Sequence, residues 1–195
     1  DGRLTMKAHL QYLSYVLRHK WFVLVECWKM GIFWRGLVHD LSKFTPAEWF
    51  PYVRYFYGDG GTRESKGDYN VDDTPQDFEM AWNHHQKAND HHWQYWVRFG
   101  DDGTVKVLPM PPKARAEMLC DWRGAGRALG KPDTLAWYSA NLSKMILYPE
   151  TRAWIEWKLG YYPPCHPELM EELGNKARLR MSLGASGNPN AFDYP

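Results

Sequence analysis

Cysteine is scarce in this 195-residue chain, and the little there is carries no pattern. Cys27, Cys120 and Cys165 have neither the spacing of a thiolate zinc site nor that of a redox pair. That argues against a disulfide framework and for reduced thiols in a cytoplasmic setting. Excess charge is also missing: 24 basic residues face 23 acidic ones. No global field therefore draws the protein to an anionic membrane, which is not expected as a partner, or to nucleic acid, which is disfavoured. Long apolar runs are lacking as well. The most apolar stretch, 21–38, is broken by Glu26, Lys29 and Arg35, short of the roughly 20 nearly uncharged residues that span a bilayer. The first residues show no signal-peptide pattern, so the expectation is a soluble protein. No glycine-rich phosphate loop, nucleophile elbow or His-Glu-x-x-His pattern occurs, and no internal repeat.

Aromatic residues are plentiful: 11 Trp, 12 Tyr and 8 Phe. They supply large areas for burial, and a domain of this length buries roughly 70% of its unfolded surface, enough for one core without staples. Apolar positions at Leu10, Leu13, Val16, Leu17, Phe22, Val25 and Trp28 recur at helical intervals, predicting a helix over 5–30 that stops at Gly31. A short helix is expected over 34–43. Thr45-Pro46-Ala47-Glu48 reads as a capping box opening a third helix to about Tyr57. The polar run 58–74 is long enough for a lid, and Thr74-Pro75-Gln76-Asp77 opens a helix expected to continue through the histidine-rich stretch 84–92. A β-hairpin is expected near 94–108. Proline-led helices follow at about 111–129, 132–147 and 149–159. The expectation is an all-α domain of six or seven helices with one small hairpin, filling 1–183, with a peripheral tail over 184–195.

The chemistry gathers in the histidines. Of eight, six fall at His19, at His39 and in the pairs His84-His85 and His91-His92. His9 and His166 read as ordinary packing or surface residues. His39 and Asp40 are adjacent, and His19 and Asp121 supply one more imidazole and one more carboxylate. Nitrogen and oxygen donors without thiolate suit manganese, iron, cobalt, nickel, zinc or magnesium. If Asp40 and Lys43 are helical they share a face, which places an ammonium beside the candidate ion. His85, Asn89 and His92 fall on one helical stripe whose ends are roughly 10 Å apart. Either that helix breaks near Asn89-Asp90, or His85 and His92 serve different ions, or one of them binds substrate. Arg123, Arg127, Lys144 and Arg152 are candidate phosphate ligands.

The arrangement of His19, His39-Asp40 and Asp121 in a helical chain resembles the HD superfamily of metal-dependent phosphohydrolases. The longer runs His39-Asp40-Leu41-Ser42-Lys43-Phe44, His85-x3-Asn89-x-His91-His92 and Asp121-Trp122 resemble a bacterial and phage HD-like family of unknown function, over roughly 9–160. The resemblance implies that His19, His39, Asp40 and Asp121 bind one metal. It further implies that His85 with His91 or His92 marks a two-metal branch and that Lys43 faces phosphate. Lys43 stands where one branch of HD nucleotidases has glutamate, so that branch's mechanism is not expected.

Taken together, these readings predict a phosphohydrolase. Asp40 and Lys43 are its candidate catalytic residues. Its metal ligands come from His19, His39, Asp40, Asp121, His85, His91 and His92. Lys43, Asn89, Arg123 and Lys144 are its candidate substrate contacts. A nucleotide is the favoured substrate by analogy with the superfamily. A non-catalytic nucleotide- or metal-binding domain and a metal-dependent nuclease are the rival readings.

Overall fold

A computed structural model describes residues 4–58 and 74–161. Seven α-helices and one two-stranded antiparallel sheet make up the described fold, the all-α class with a small hairpin. The backbone divides into a unit over Asp1–Gly160 and a second from Tyr161 onward. The boundary expected at 183/184 and most of the expected 58–74 lid lie outside the described residues.

Helix α1 (Met6–Lys29) opens at Thr5, whose hydroxyl accepts from the Ala8 amide at 3.2 Å. Its buried face reads Ala8, Tyr12, Val16, His19, Val23, Glu26 and Cys27. The early part packs with Tyr52, Val53, Phe56 and Phe78 of α3 (Pro46–Tyr57) and α4 (Gln76–Ala88). The later part packs against α5 (Pro112–Ala128), where Val23, Cys27 and Cys120 meet. His19 therefore sits between two apolar clusters, walled from water on both sides. The approach of α1 and α5 is close enough to need glycine: a Cβ on Gly124 would stand 2.5 Å from Val23 Cγ2 and 2.8 Å from its backbone nitrogen. Cys27 and Cys120 are buried and unbridged.

Helix α2 spans Phe33–Val38, shorter than the expected 34–43. His39 turns extended and Asp40 adopts the left-handed conformation (φ 54°, ψ 31°), the one non-glycine residue of positive φ among the described residues. A 3-10 turn follows over Leu41–Phe44. The His-Asp pair thus lies at a break between helical segments instead of inside one. The expected capping box is also replaced. Thr45 does begin α3, but its hydroxyl donates to the Ser42 carbonyl at 2.7 Å, and Glu48 turns inward.

Helix α4 stops at Ala88, so the histidine stretch is helical only in its first half. A 3-10 turn, Trp93–Trp96, leads into the hairpin of β1 (Val97–Phe99) and β2 (Val105–Val107), paired Val97 to Val107. After α5 come α6 (Thr134–Asn141), which ends before the expected 147, and α7 (Pro149–Leu159). No helix of the described residues is long and apolar enough to cross a membrane.

Candidate metal centre

Four elements converge on Asp40. Helix α1 supplies His19, the break after α2 supplies His39 and Asp40, and α5 supplies Asp121. The end of α4 and the turn after it supply His85, His91 and His92. His19, His39, Asp40, His85 and His91 are each at most 2% exposed.

The first donor group is compact. His19 Nε2 lies 3.3 Å from His39 Nε2, 3.3 Å from Asp40 Oδ2 and 3.2 Å from Asp121 Oδ1. His39 Nε2 lies 3.2 Å from Asp40 Oδ2 and 3.5 Å from Asp121 Oδ1. Two ligands on one ion, with bonds of about 2.0–2.2 Å, stand about 3–3.6 Å apart. The spacing is that of a coordination shell.

The other oxygen of Asp40 belongs to a second group. Asp40 Oδ1 is 3.4 Å from His85 Nε2 and 3.4 Å from His91 Nε2, and His92 completes the set. This follows from the stop in α4. As a continuous helix the segment would carry His92 away from His85. Instead Asn89 turns extended (φ −122°, ψ 111°) and its side-chain amide donates to the His85 carbonyl at 2.8 Å and to Ser42 Oγ at 2.9 Å. The chain doubles back, leaving the His85 and His92 rings 4.7 Å apart. Asp40 Oδ1, His91 Nε2 and His92 Nε2 are buried without a hydrogen-bond partner among the described residues. Three such atoms facing one place fit a cation, because a buried polar group without a partner costs free energy.

Two glutamates that the sequence alone does not single out hold the far side of these rings. Glu117 Oε1 accepts from His39 Nδ1 at 2.9 Å and lies 3.2 Å from His91 Nδ1. Glu48 binds His85 Nδ1 through Oε2 and His84 Nδ1 through Oε1, each at 2.8 Å. A carboxylate on Nδ1 fixes the tautomer and leaves the Nε2 lone pair for a metal. His84 itself is half exposed and belongs to neither donor group. The signal for Glu117 was its place one turn before Asp121 on α5. Arg35 then ties the other Glu117 oxygen to Asp90, fastening α2 and the turn after α4 onto α5.

The electrostatics follow from burying so many charges together. Burial would raise the Asp40 carboxyl, but His39, Lys43 and His85 outweigh it and hold it well below the carboxylate range. Asp121 is likewise held down, against burial, by hydrogen bonds from His19 and His39. Burial would raise Glu117 too, yet His39 and His91 hold it at about 2. Conversely, His39 is raised despite its burial by Asp40, Asp121 and Glu117. His92 is pushed well below the imidazole range by burial and by the neighbouring His91 and His85.

Lys43 donates to Asp40 Oδ2 at 2.5 Å, so the expected neighbourhood holds although Asp40 is not helical. Lys20 also reaches in, to the His39 carbonyl. Asn89 is engaged in holding the turn. Arg123 lines a cavity of about 340 Å³ with Glu26, Arg127 and Lys158, none of which belongs to the donor groups. Lys144 hydrogen-bonds Asn141 at 3.1 Å on an exposed turn. Neither Arg123 nor Lys144 makes a polar contact with the cluster.

A model of a family of unknown function, DUF5662, matches residues 8–161, and the chain belongs to that family. The matched span takes in every residue of the donor groups. No curated protein and no solved structure matches the chain.

Proposed function

We propose that the protein is a metal-dependent phosphohydrolase of the HD type, acting on a nucleotide or a related phosphate ester. The observation that carries this reading is Asp40, a buried carboxylate with one oxygen in each of two nitrogen-rich donor groups. One shared carboxylate between two sets is the ligand pattern of a pair of divalent ions. His19, His39, Asp40 and Asp121 would hold the first, and Asp40, His85, His91 and His92 the second. The donors suit manganese, iron, cobalt, nickel, zinc or magnesium. Such ions, when bound, polarise a phosphoryl oxygen and bring the pKa of a water to about 7.

The remaining work falls to the chain. Glu117 and Glu48 keep the Nε2 atoms of His39, His91 and His85 turned inward. Lys43, raised by Asp40 against its own burial, keeps its proton at neutral pH. Its ammonium, held beside Asp40, can donate to a phosphate oxygen and offset charge that develops there. The apolar clusters on either side of His19 exclude water and strengthen each of these interactions.

Protein purified without chelator should carry divalent metal by elemental analysis and release phosphate from members of a nucleotide panel. Asp40→Ala should do neither. Bound metal with no phosphate released from any nucleotide or phosphate ester would favour a non-catalytic binding domain, and cleavage of oligonucleotides alone would favour a nuclease.

A further inference from the structure

The cations on the cavity beside α5 take no part in the metal centre. Arg123 and Arg127 stand one turn apart on α5, and Lys158 reaches the same cavity of about 340 Å³ from α7. At 3.6 residues per turn Arg123 is about 200° around α5 from Asp121, on the opposite side of the helix from the first donor group. Glu26, which lines the cavity from α1, is seven residues beyond His19, about 10 Å along that helix. The cavity is therefore separate from the metal centre.

Its charges do not balance. Arg127 donates to Glu26 Oε1 at 2.8 Å, and Lys29 donates to the same oxygen at 2.8 Å, so one carboxylate answers two cations. Asp133 is engaged at the start of α6, where its Oδ1 accepts from the Ala136 amide at 2.9 Å. That leaves Arg123 and Lys158. Among the described residues Arg123 has no hydrogen bond or ion pair. Lys158 Nζ lies 4.5 Å from the Trp157 ring and 5.7 Å from the Trp154 ring, contacts that place the ammonium but give its N–H donors no acceptor oxygen. Burial, and after it the guanidinium of Arg123, lower Lys158 below the usual lysine range. Two partly exposed cations thus share one cavity whose two carboxylates are already engaged.

Charge and lining point to one class of ligand. A guanidinium fork beside an ammonium suits an oxyanion, and two cations match the near-dianion of a phosphate monoester better than the single charge of a carboxylate. The volume falls in the lower part of the roughly 300–1,000 Å³ range of small-molecule sites. Pro132, Leu135 and Leu159 line the cavity too, an apolar wall for an uncharged organic body.

We propose that this cavity binds a small organic phosphate, with Arg123 and Lys158 on the phosphate group and Pro132, Leu135 and Leu159 against the organic part. The proposal does not rest on the phosphohydrolase reading. It is tested by titration calorimetry on the full chain, with chelator present so that phosphate cannot bind through metal. Phenyl phosphate is the probe, with inorganic phosphate and phenol for comparison. The expected result is one phenyl phosphate per chain, bound at least about fivefold more tightly than inorganic phosphate, and no binding of phenol. Arg123→Gln and Lys158→Gln should each weaken it at least about fivefold, and Lys106→Gln, the same charge change on the hairpin, should not. Because Arg123 is unpaired, Arg123→Gln should melt no lower than wild type without ligand, which separates loss of binding from loss of fold. Absence of phenyl phosphate binding, inorganic phosphate bound as tightly, or binding unchanged in both cavity variants would overturn the proposal. So would an equal loss in Lys106→Gln, or a lower melting temperature for Arg123→Gln without ligand, which would give the guanidinium a role in the fold instead.

Discussion

Asp40 carries two roles that can be separated. Its carboxylate serves both donor groups, and its backbone holds the left-handed turn that aims it. A side chain with a Cβ pays roughly 1–2 kcal/mol in that conformation and glycine pays little. Asp40→Ala and Asp40→Gly should therefore both lose metal and activity, with the glycine variant more stable by on the order of 1 kcal/mol in chemical unfolding under chelator. Equal stabilities would mean that the turn is not strained. Glu117 gives a prediction in pH. Its folded value, about 2, lies below the ordinary 4.5, so its contribution is present above 4.5 and is lost as pH falls towards 2. That contribution is on the order of 3 kcal/mol. In metal-free protein, Glu117→Gln should lower the melting temperature at pH 6 and converge with wild type near pH 2. Parallel curves would mean that Glu117 makes no such contribution. At this scale the grouping of His19, His39, Asp40 and Asp121 was legible because histidines number only eight and the resemblance to the HD pattern picked Asp121 out of 23 acidic residues. Glu48 and Glu117 were not, since helix glutamates abound on surfaces and Glu48 already had a capping role to explain it.

Among the elements, the stop in α4 makes the second donor group possible, because it lets His91 and His92 fold back beside His85. His85→Ala should remove one ion, keep the ion of His19, His39 and Asp121, and cut kcat at least about tenfold. Full metal content in that variant would return His85 to a packing role. Glu48→Gln should weaken the second ion by about 10–100-fold while sparing the first, as loss of a carboxylate behind a ligating histidine does. Titration of metal into chelator-stripped protein measures both. The packing of α1 on α5 sets the first group. Gly124→Ala should cost about 1–3 kcal/mol, because Val23 offers backbone and not a flexible tip. Helix starts at Pro46, Pro112 and Pro149 were legible because proline fits the first turn. The ends of α2 and α4 were not. Apolar or polar periodicity runs past both, and what halts them is tertiary: Lys20 on the His39 carbonyl and Asn89 on Ser42.

Across the whole molecule, the near balance of 24 basic and 23 acidic residues suggested no attraction to a membrane. That figure is an average over the chain, and in the folded molecule many of the charges are paired, Lys29 with Glu26, Arg35 with Glu117 and Asp90, and Lys43 with Asp40. The all-α class with one hairpin was legible, since helical periodicity and proline punctuation agree along the chain. The proposed function requires Asp40 to bridge two divalent ions. Crystals grown with manganese and measured for anomalous scattering test it most directly. The prediction is two peaks about 3.5–4 Å apart, one beside His19, His39 and Asp121 and one beside His85, His91 and His92, each in contact with an oxygen of Asp40. A single peak at full occupancy, or two peaks with Asp40 bound to only one, would contradict it.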